Sequence, residues 1–303
     1  MMKTMARMTS SSGRPNEPIA ALLGTVILSS FASGSAVVGG QFSSGVNLVE
    51  VYATVTDERG EPIGDLSAAD FRVAEDGIPQ MVSAFAAGEF PLSVAIGVDR
   101  SFSMASGKVD RLSAVKNAAR TFVGALRAGD QVMVIAVGSE TEVAAPLSAD
   151  RAAALAAIDR IEPWGTTPLY DATVRAIDAI QSAKGRRALV LLSDGVDRYS
   201  DTQPAALLDR ARRSDVLAYP IAIGRTRAPI FAELAAATGG RSFFVKDPRE
   251  LPAEMTAIAR ELHFQYLLGY APARGGEPGW RSIDVTVNRP GVRVRARDGY
   301  FSR

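Results

Sequence analysis

From Val49 the chain alternates: Val49, Val51, Ala53 and Val55 fall on one face, and Glu50, Tyr52, Thr54 and Thr56 on the other. A period of two is that of a strand covered on one side. The turn Asp57-Glu58-Arg59-Gly60 ends it, and residues 71–74 and 80–85 read as two more short strands around Glu75-Asp76-Gly77. Beyond Pro91 the alternation stops. Unbroken apolar runs at 92–98, 132–137, 188–192, 217–223 and 242–245 suit strands covered on both faces. Between them, residues 111–126 place Leu112, Val115, Ala119, Phe122, Val123 and Leu126 on one helical stripe. Residues 169–183, 204–213 and 230–237 also read as helices. A last helix over 252–263 leads back to β pattern at 265–269, 282–287 and 292–297.

Strands alternating with helices predict a parallel sheet with helices on both faces. The three early and three late strands are each too few for a sheet with its own core. They are expected to pack together. The fold class is therefore α/β: a doubly wound, mostly parallel, Rossmann-like sheet inserted in a small β-domain formed by the N- and C-terminal flanks. The expected divisions are 37–90 and 265–303 for the two halves of the β-domain and 91–264 for the α/β domain.

Residues 1–36 read as a secretory signal. Lys3, Arg7 and Arg14 precede an apolar stretch from Ile19 to Phe31, followed by the small residues Ala32 to Ala36. Cleavage is expected after Ala32 or Ala36, leaving a periplasmic or extracellular protein. An uncleaved anchor is the alternative, since no charge lies between Glu17 and Glu50, but Ser and Gly dilute the run from Ser29 onward. Membrane contact is expected only in that case.

Composition narrows the chemistry. With 34 basic and 33 acidic residues among 303, no charge bias points to nucleic acid. Absence of cysteine removes disulfides, thiol nucleophiles, zinc–cysteine sites and lipidation on cysteine. The single histidine, His263, removes multi-histidine metal sites and leaves any Ser-His-Asp triad resting on one residue. It ends a helix, where a cationic side chain is favoured by the helix dipole, and a structural role is expected.

Three polar strings stand at predicted strand or loop ends: Asp99-Arg100-Ser101-Phe102-Ser103, Gly165-Thr166-Thr167-Pro168-Leu169 and Ser193-Asp194-Gly195. In an open parallel sheet, ligands bind beyond the carboxyl ends of strands where the winding reverses. Two carboxylates and three hydroxyls are hard oxygen donors, suited to magnesium or manganese rather than zinc or copper.

The order Asp-x-Ser-x-Ser, then Thr, then Asp resembles the metal-ion-dependent adhesion site of von Willebrand factor A domains. The resemblance covers roughly 91–263. The flanks Gly64-Asp65-Leu66 to Asp70-Phe71, Glu75-Asp76-Gly77, Gly269-Tyr270-Ala271-Pro272 and Arg297-Asp298-Gly299-Tyr300 resemble the exported bacterial VWFA-related proteins. The resemblance implies Ser101, Ser103 and Thr167 as direct ligands, with Asp99 and Asp194 acting mainly through water. Thr167 is preferred to Thr166 because it immediately precedes Pro168-Leu169-Tyr170-Asp171. The implied cofactor is Mg2+, with Mn2+ or Ca2+ as alternatives. The implied partner is a protein presenting Asp or Glu. Phe102 stands where the family usually has glycine and can crowd the loop, and Arg100 sets a cation beside the site. Phe102, Trp164 and Thr166 are candidates for a partner-binding rim.

Arg293, Arg295 and Arg297 alternate with Val292, Val294 and Ala296, and with Arg289 and Arg303 nearby they read as a solvated strand face rather than an anion site. The function expected is a non-enzymatic, metal-dependent binding module of the cell envelope. The alternatives are a magnesium-dependent hydrolase or phosphatase and a metal-free structural protein. The phosphatase reading lacks a second acid near Asp99, where Ser101 holds the place.

Overall fold

Val, Leu and Ile runs that never alternate form the middle of the molecule because both faces of their sheet are covered. The structure is a computed structural model and describes residues 48–88, 90–106, 110–273 and 278–302. The expected secretory signal lies outside them. In chain order the elements are β1 (Val49–Asp57), β2 (Phe71–Glu75), β3 (Ile78–Gln80), β4 (Val82–Gly88), β5 (Leu92–Asp99), α1 (Phe102–Ala105), α2 (Arg111–Ala125), β6 (Gln131–Val137), β7 (Glu142–Ser148), α3 (Arg151–Arg160) and α4 (Leu169–Gln181). There follow β8 (Arg186–Ser193), α5 (Pro204–Arg212), β9 (Val216–Ile223), α6 (Pro229–Thr238), β10 (Phe243–Val245), α7 (Leu251–His263), β11 (Gln265–Tyr270), β12 (Gly279–Val287), β13 (Val292–Arg295) and β14 (Gly299–Ser302).

The central sheet has the order β10-β9-β8-β5-β6-β7 and is parallel except for its edge strand β7. Helices α2, α3 and α7 cover one face, where Val94, Ile96, Phe122, Val190 and Met255 form a core; α4, α5 and α6 cover the other around Ile135, Ile177, Leu189 and Leu234. The expected doubly wound sheet is present. The chain leaves β5 toward β6 on one side and returns to β8 on the other, so the winding reverses at β5. That puts the carboxyl end of β5, at Asp99, where a doubly wound sheet opens a crevice.

The flanks form two four-stranded sheets, β13-β1-β11-β4 and β14-β12-β2-β3, with antiparallel pairing throughout. Each sheet mixes strands from before and after the α/β unit. They share one core of Val51, Val55, Phe71, Tyr266, Leu268 and Ile283, so they pack as a sandwich. Two strands beyond the six expected, β3 and β14, complete it.

Two expectations need correction. Thr54 and Thr56 are buried although they lie on the polar face of β1, because that face is also covered. Gln265 donates to Thr54 Oγ1 at 2.8 Å. The arginines after Val292 are not a simple solvated face. Arg295 reaches the buried Glu261 of α7 at 2.7 Å, and Arg297 pairs with Asp215 and donates to the Glu50 carbonyl at 2.7 Å. Arg293 alone of the three is exposed. These side chains tie the sandwich to the α/β unit. His263 is buried, with its Nε2 2.9 Å from Asp130 Oδ2. Burial lowers its pKa while Asp130 opposes the shift, so it sits as a core histidine rather than a charged helix cap.

Candidate metal centre

Asp99 closes β5 with its side chain fully buried. The Ser101 amide donates to Asp99 Oδ1 at 2.9 Å, which turns the chain back over the strand end. The turn sets Ser101 Oγ 3.1 Å from Ser103 Oγ, in the first turn of α1. Thr167, buried just before α4, donates its hydroxyl to Asp99 Oδ1 at 3.2 Å. Ser193, at the end of the neighbouring β8, donates to Asp99 Oδ2 at 2.6 Å. Asp194 is half-buried and accepts the Val196 amide at 3.1 Å. Of the expected residues, Ser101 and Thr167 meet at the Asp99 carboxylate, Ser103 reaches Ser101, and Asp194 follows Ser193 at the end of β8.

Main-chain hydrogen bonds lace the three loops together. Trp164 N–H donates to the Arg100 carbonyl at 2.7 Å, Phe102 N–H to the Gly165 carbonyl at 3.1 Å, and Arg198 N–H to the Thr167 carbonyl at 2.8 Å. Gly138 allows the close approach: a Cβ there would lie 2.8 Å from the Trp164 carbonyl oxygen. Gly165 has φ +74° and would drive a Cβ to 2.2 Å from Ser139 Oγ, so only glycine fits.

The two threonines separate cleanly. Thr166 gives its amide to Ser139 Oγ at 2.9 Å and lies with its hydroxyl 3.3 Å from the same atom. Thr167 is the one that faces Asp99. Arg100 turns aside: it pairs with Glu142 at 3.3 Å and stacks over Trp164, its guanidinium carbon 5.2 Å from the ring centre. Phe102 is 60 % exposed at the start of α1. Its bulk points to solvent, and the loop is not crowded.

Burial pushes the Asp99 carboxyl up, and the charge of Asp194 adds to the shift, while hydrogen bonds from Ser101 and Ser193 oppose it. Among the described residues no cation pairs with this buried carboxylate, and a cation at the Ser101–Ser103 hydroxyls would supply a counter-charge. Among the described residues no group of three or more His, Cys, Asp or Glu gathers anywhere. The donors here are hydroxyls with flanking carboxylates, all hard oxygens, and they fit magnesium, manganese or calcium.

Sequence reasoning did not single out Ser193, Ser139, Val196 or Tyr199. A hydroxyl ending a fully apolar strand one residue before an aspartate was the available sign for Ser193. Val196 and Tyr199 belong with Phe102 and Trp164 among the exposed large apolar side chains, and all four stand on the three laced loops. Tyr199 is 82 % exposed and holds φ +69°, a left-handed conformation costly for a bulky residue. The loop that carries it is pinned to α4, because Asp171 accepts the amides of Asp201 and Thr202 at 3.0 and 2.9 Å.

Residues 94–196 match the family model of the von Willebrand factor type A domain. The central unit has the von Willebrand factor type A fold. No curated protein matches the chain in sequence. Among solved structures it is similar to a von Willebrand factor type A protein from Catenulispora acidiphila, with TM-score 0.53 and 16% identity over 84% of this chain and 73% of that one. It is also similar to proximal thread matrix protein 1 from the mussel byssus with a zinc-occupied MIDAS motif, with TM-score 0.52 and 17% identity over 64% of this chain and 50% of that one. At these identities the likeness is one of fold. The matched residues run from β5 to just past β8, and the sandwich from the flanks is joined to the α/β unit at both ends.

Proposed function

We propose that the protein is a non-enzymatic, divalent-metal-dependent binding module of the cell envelope. Magnesium would be held by the hydroxyls of Ser101, Ser103 and Thr167, with Asp99 and Asp194 holding its waters. The bound metal would supply an electrophilic position for an Asp or Glu side chain of a partner protein. Phe102 and Trp164, joined by Val196 and Tyr199, would form the contact rim. The observation that carries this reading is the buried, counter-charge-poor Asp99 ringed by hydroxyls at the switch point of the sheet.

Hydrolase chemistry draws little support from the same geometry. The side-chain neighbours of Ser101 Oγ are the Ser103 hydroxyl and the Asp99 carboxylate, and the one histidine of the chain stands elsewhere. His263 bonds Asp130, which in turn accepts the amide of Leu92 at the opposite end of β5. Seven strand steps at about 3.3 Å each separate that end from Asp99. Export through residues 1–36 would deliver the module to the periplasm or beyond.

Magnesium titration tests the reading. Trp164 fluorescence in a Trp280→Phe background should report saturable binding. Ser103→Ala should weaken the affinity about tenfold by removing one of the oxygen ligands. Captured acidic partner should be released by chelator. Partner capture that persists in chelator with unchanged affinity would overturn the proposal.

A further inference from the structure

At the far end of the central sheet from Asp99 lies a cleft of about 1500 Å³. One wall is formed at the starts of β8 and β9, and the other by the first residues of β1 and by β14. Six cations line it: Lys184, Arg187, Arg212, Arg213, Arg281 and Arg297. Three acids do so, Glu50, Glu75 and Asp215. In a chain with 34 basic and 33 acidic residues, that excess is local.

Two of the three acids in the lining are already engaged, while Glu50 is exposed. Glu75 is buried and accepts the hydroxyls of Tyr270 at 2.8 Å and Tyr300 at 3.0 Å. Asp215 is shared between Arg187, at 3.4 Å, and Arg297. Arg212, Arg213 and Arg281 are paired with Asp298, Asp209 and Asp76, none of which lines the cleft. Exposed Lys184 pairs with no acid among the described residues. The Nε atoms of Arg187 and Arg297 are buried without a hydrogen-bond partner.

The same walls carry open strand edges. Among the described residues β14 is the end strand of its sheet and pairs with β12 alone. In β1, Val49–Ala53 pair with β11 on one side, whereas β13 covers only Thr54–Asp57 on the other. Arg297 donates to the Glu50 carbonyl on that stretch. An added strand binds such edges through main-chain hydrogen bonds, and guanidinium groups bind its carboxylates in pairs.

We propose that this cleft is a second docking site, which takes an extended acidic peptide segment of a partner protein independently of the metal centre. Arginines alone would suit an anionic glycan equally, but a glycan makes no use of strand edges. Residues 1–47 are an unfit occupant: their charges are Lys3, Arg7, Arg14 and Glu17, of the same net sign as the cleft.

The test uses the full chain, a fluorescein-labelled alternating Glu-Val decapeptide and anisotropy in chelator. Saturable binding is expected, and Arg187→Gln or Arg297→Gln should weaken it about tenfold. Asp215→Asn removes the internal competitor and should tighten it. A Lys-Val peptide, polygalacturonate and inorganic phosphate serve as competitors and should displace the probe poorly. Lys184→Glu, at an exposed unpaired position, keeps the test valid if an arginine variant fails to fold, and should weaken binding about fivefold. Absence of saturable binding would overturn the proposal. So would equal competition by polygalacturonate or phosphate, an unchanged affinity in folded arginine or Lys184 variants, or binding that requires magnesium.

Discussion

Glu261 offers a direct measure of how firmly the sandwich is clamped to the von Willebrand factor type A unit. It projects from α7, accepts the Tyr219 hydroxyl of β9 at 2.8 Å and pairs with Arg295 of β13 at 2.7 Å, with Arg241 at 3.7 Å. Its side chain is 3 % exposed, and Tyr219 is fully buried. Glu261→Ala strands both partners. Leaving a buried hydroxyl without an acceptor costs about 1–3 kcal/mol. Breaking a fully buried ion pair costs about 3–5 kcal/mol, most of it from the charge left behind. Arg295 keeps 23 % side-chain exposure and can recover some hydration, so the lower end applies. With the lower end of both costs, the expected loss is about 4 kcal/mol in all. Glu261→Gln keeps an acceptor for Tyr219 and loses only the charge, and should cost about 1–2 kcal/mol. Urea unfolding checks both, read through Trp280 in the sandwich and Trp164 in the α/β unit, each in the background lacking the other tryptophan. Glu261→Ala should move the Trp280 transition first. A midpoint equal to wild type, or a smaller effect for Ala than for Gln, would refute the reasoning.

Three further outcomes are expected. Asp99→Asn should abolish magnesium binding, yet melt above the wild type in chelator at neutral pH, because burial opposes the Asp99 charge; a lower melting temperature in chelator would count against the uncompensated charge. His263, whose pKa burial lowers from 6.5, takes up its proton more readily in the unfolded chain, so its contribution to stability is complete above about pH 6.5 and lost as pH falls below it; His263→Gln should flatten that acid limb in pH-dependent melts, and an unchanged limb would exclude His263 as its source. A chain ending at His263 loses β11 to β14, exposes Val51 and Val55, and should aggregate or melt early in light scattering and calorimetry; a monomer of unchanged stability would contradict the shared core.

The sequence was most informative where burial is uniform. β5, β6, β8 and β9 read correctly because a strand covered on both faces has no reason to alternate. β7 escaped notice for the opposite reason. It is an edge strand, carries Pro146 and fully buries only Ala145, so neither period nor composition marks it. The alanine-rich α3 buries only Ala154, Ala157 and Ile158, too weak a stripe to stand out. β14 is four residues long and is defined by its pairing with β12 rather than by its own pattern.

At the site, the three loop strings were legible because each follows its own strand or precedes its own helix. What joins them was not. Ser193 matters to Asp99 only because β5 and β8 are adjacent and in register, with Val98 beside Leu192. The arginines show the same limit with the opposite result. Taken locally, a charge on alternate residues means solvent; Arg295 instead finds Glu261, 34 positions earlier in the chain, and Arg297 finds Asp215, 82 positions earlier. A rule based on near neighbours assigns such side chains to water because their partners lie on elements that only the fold brings close. The charge reading fails at the seam between the sandwich and the α/β unit for that reason. Part of that seam, at Arg187, Asp215 and Arg297, forms the cationic cleft.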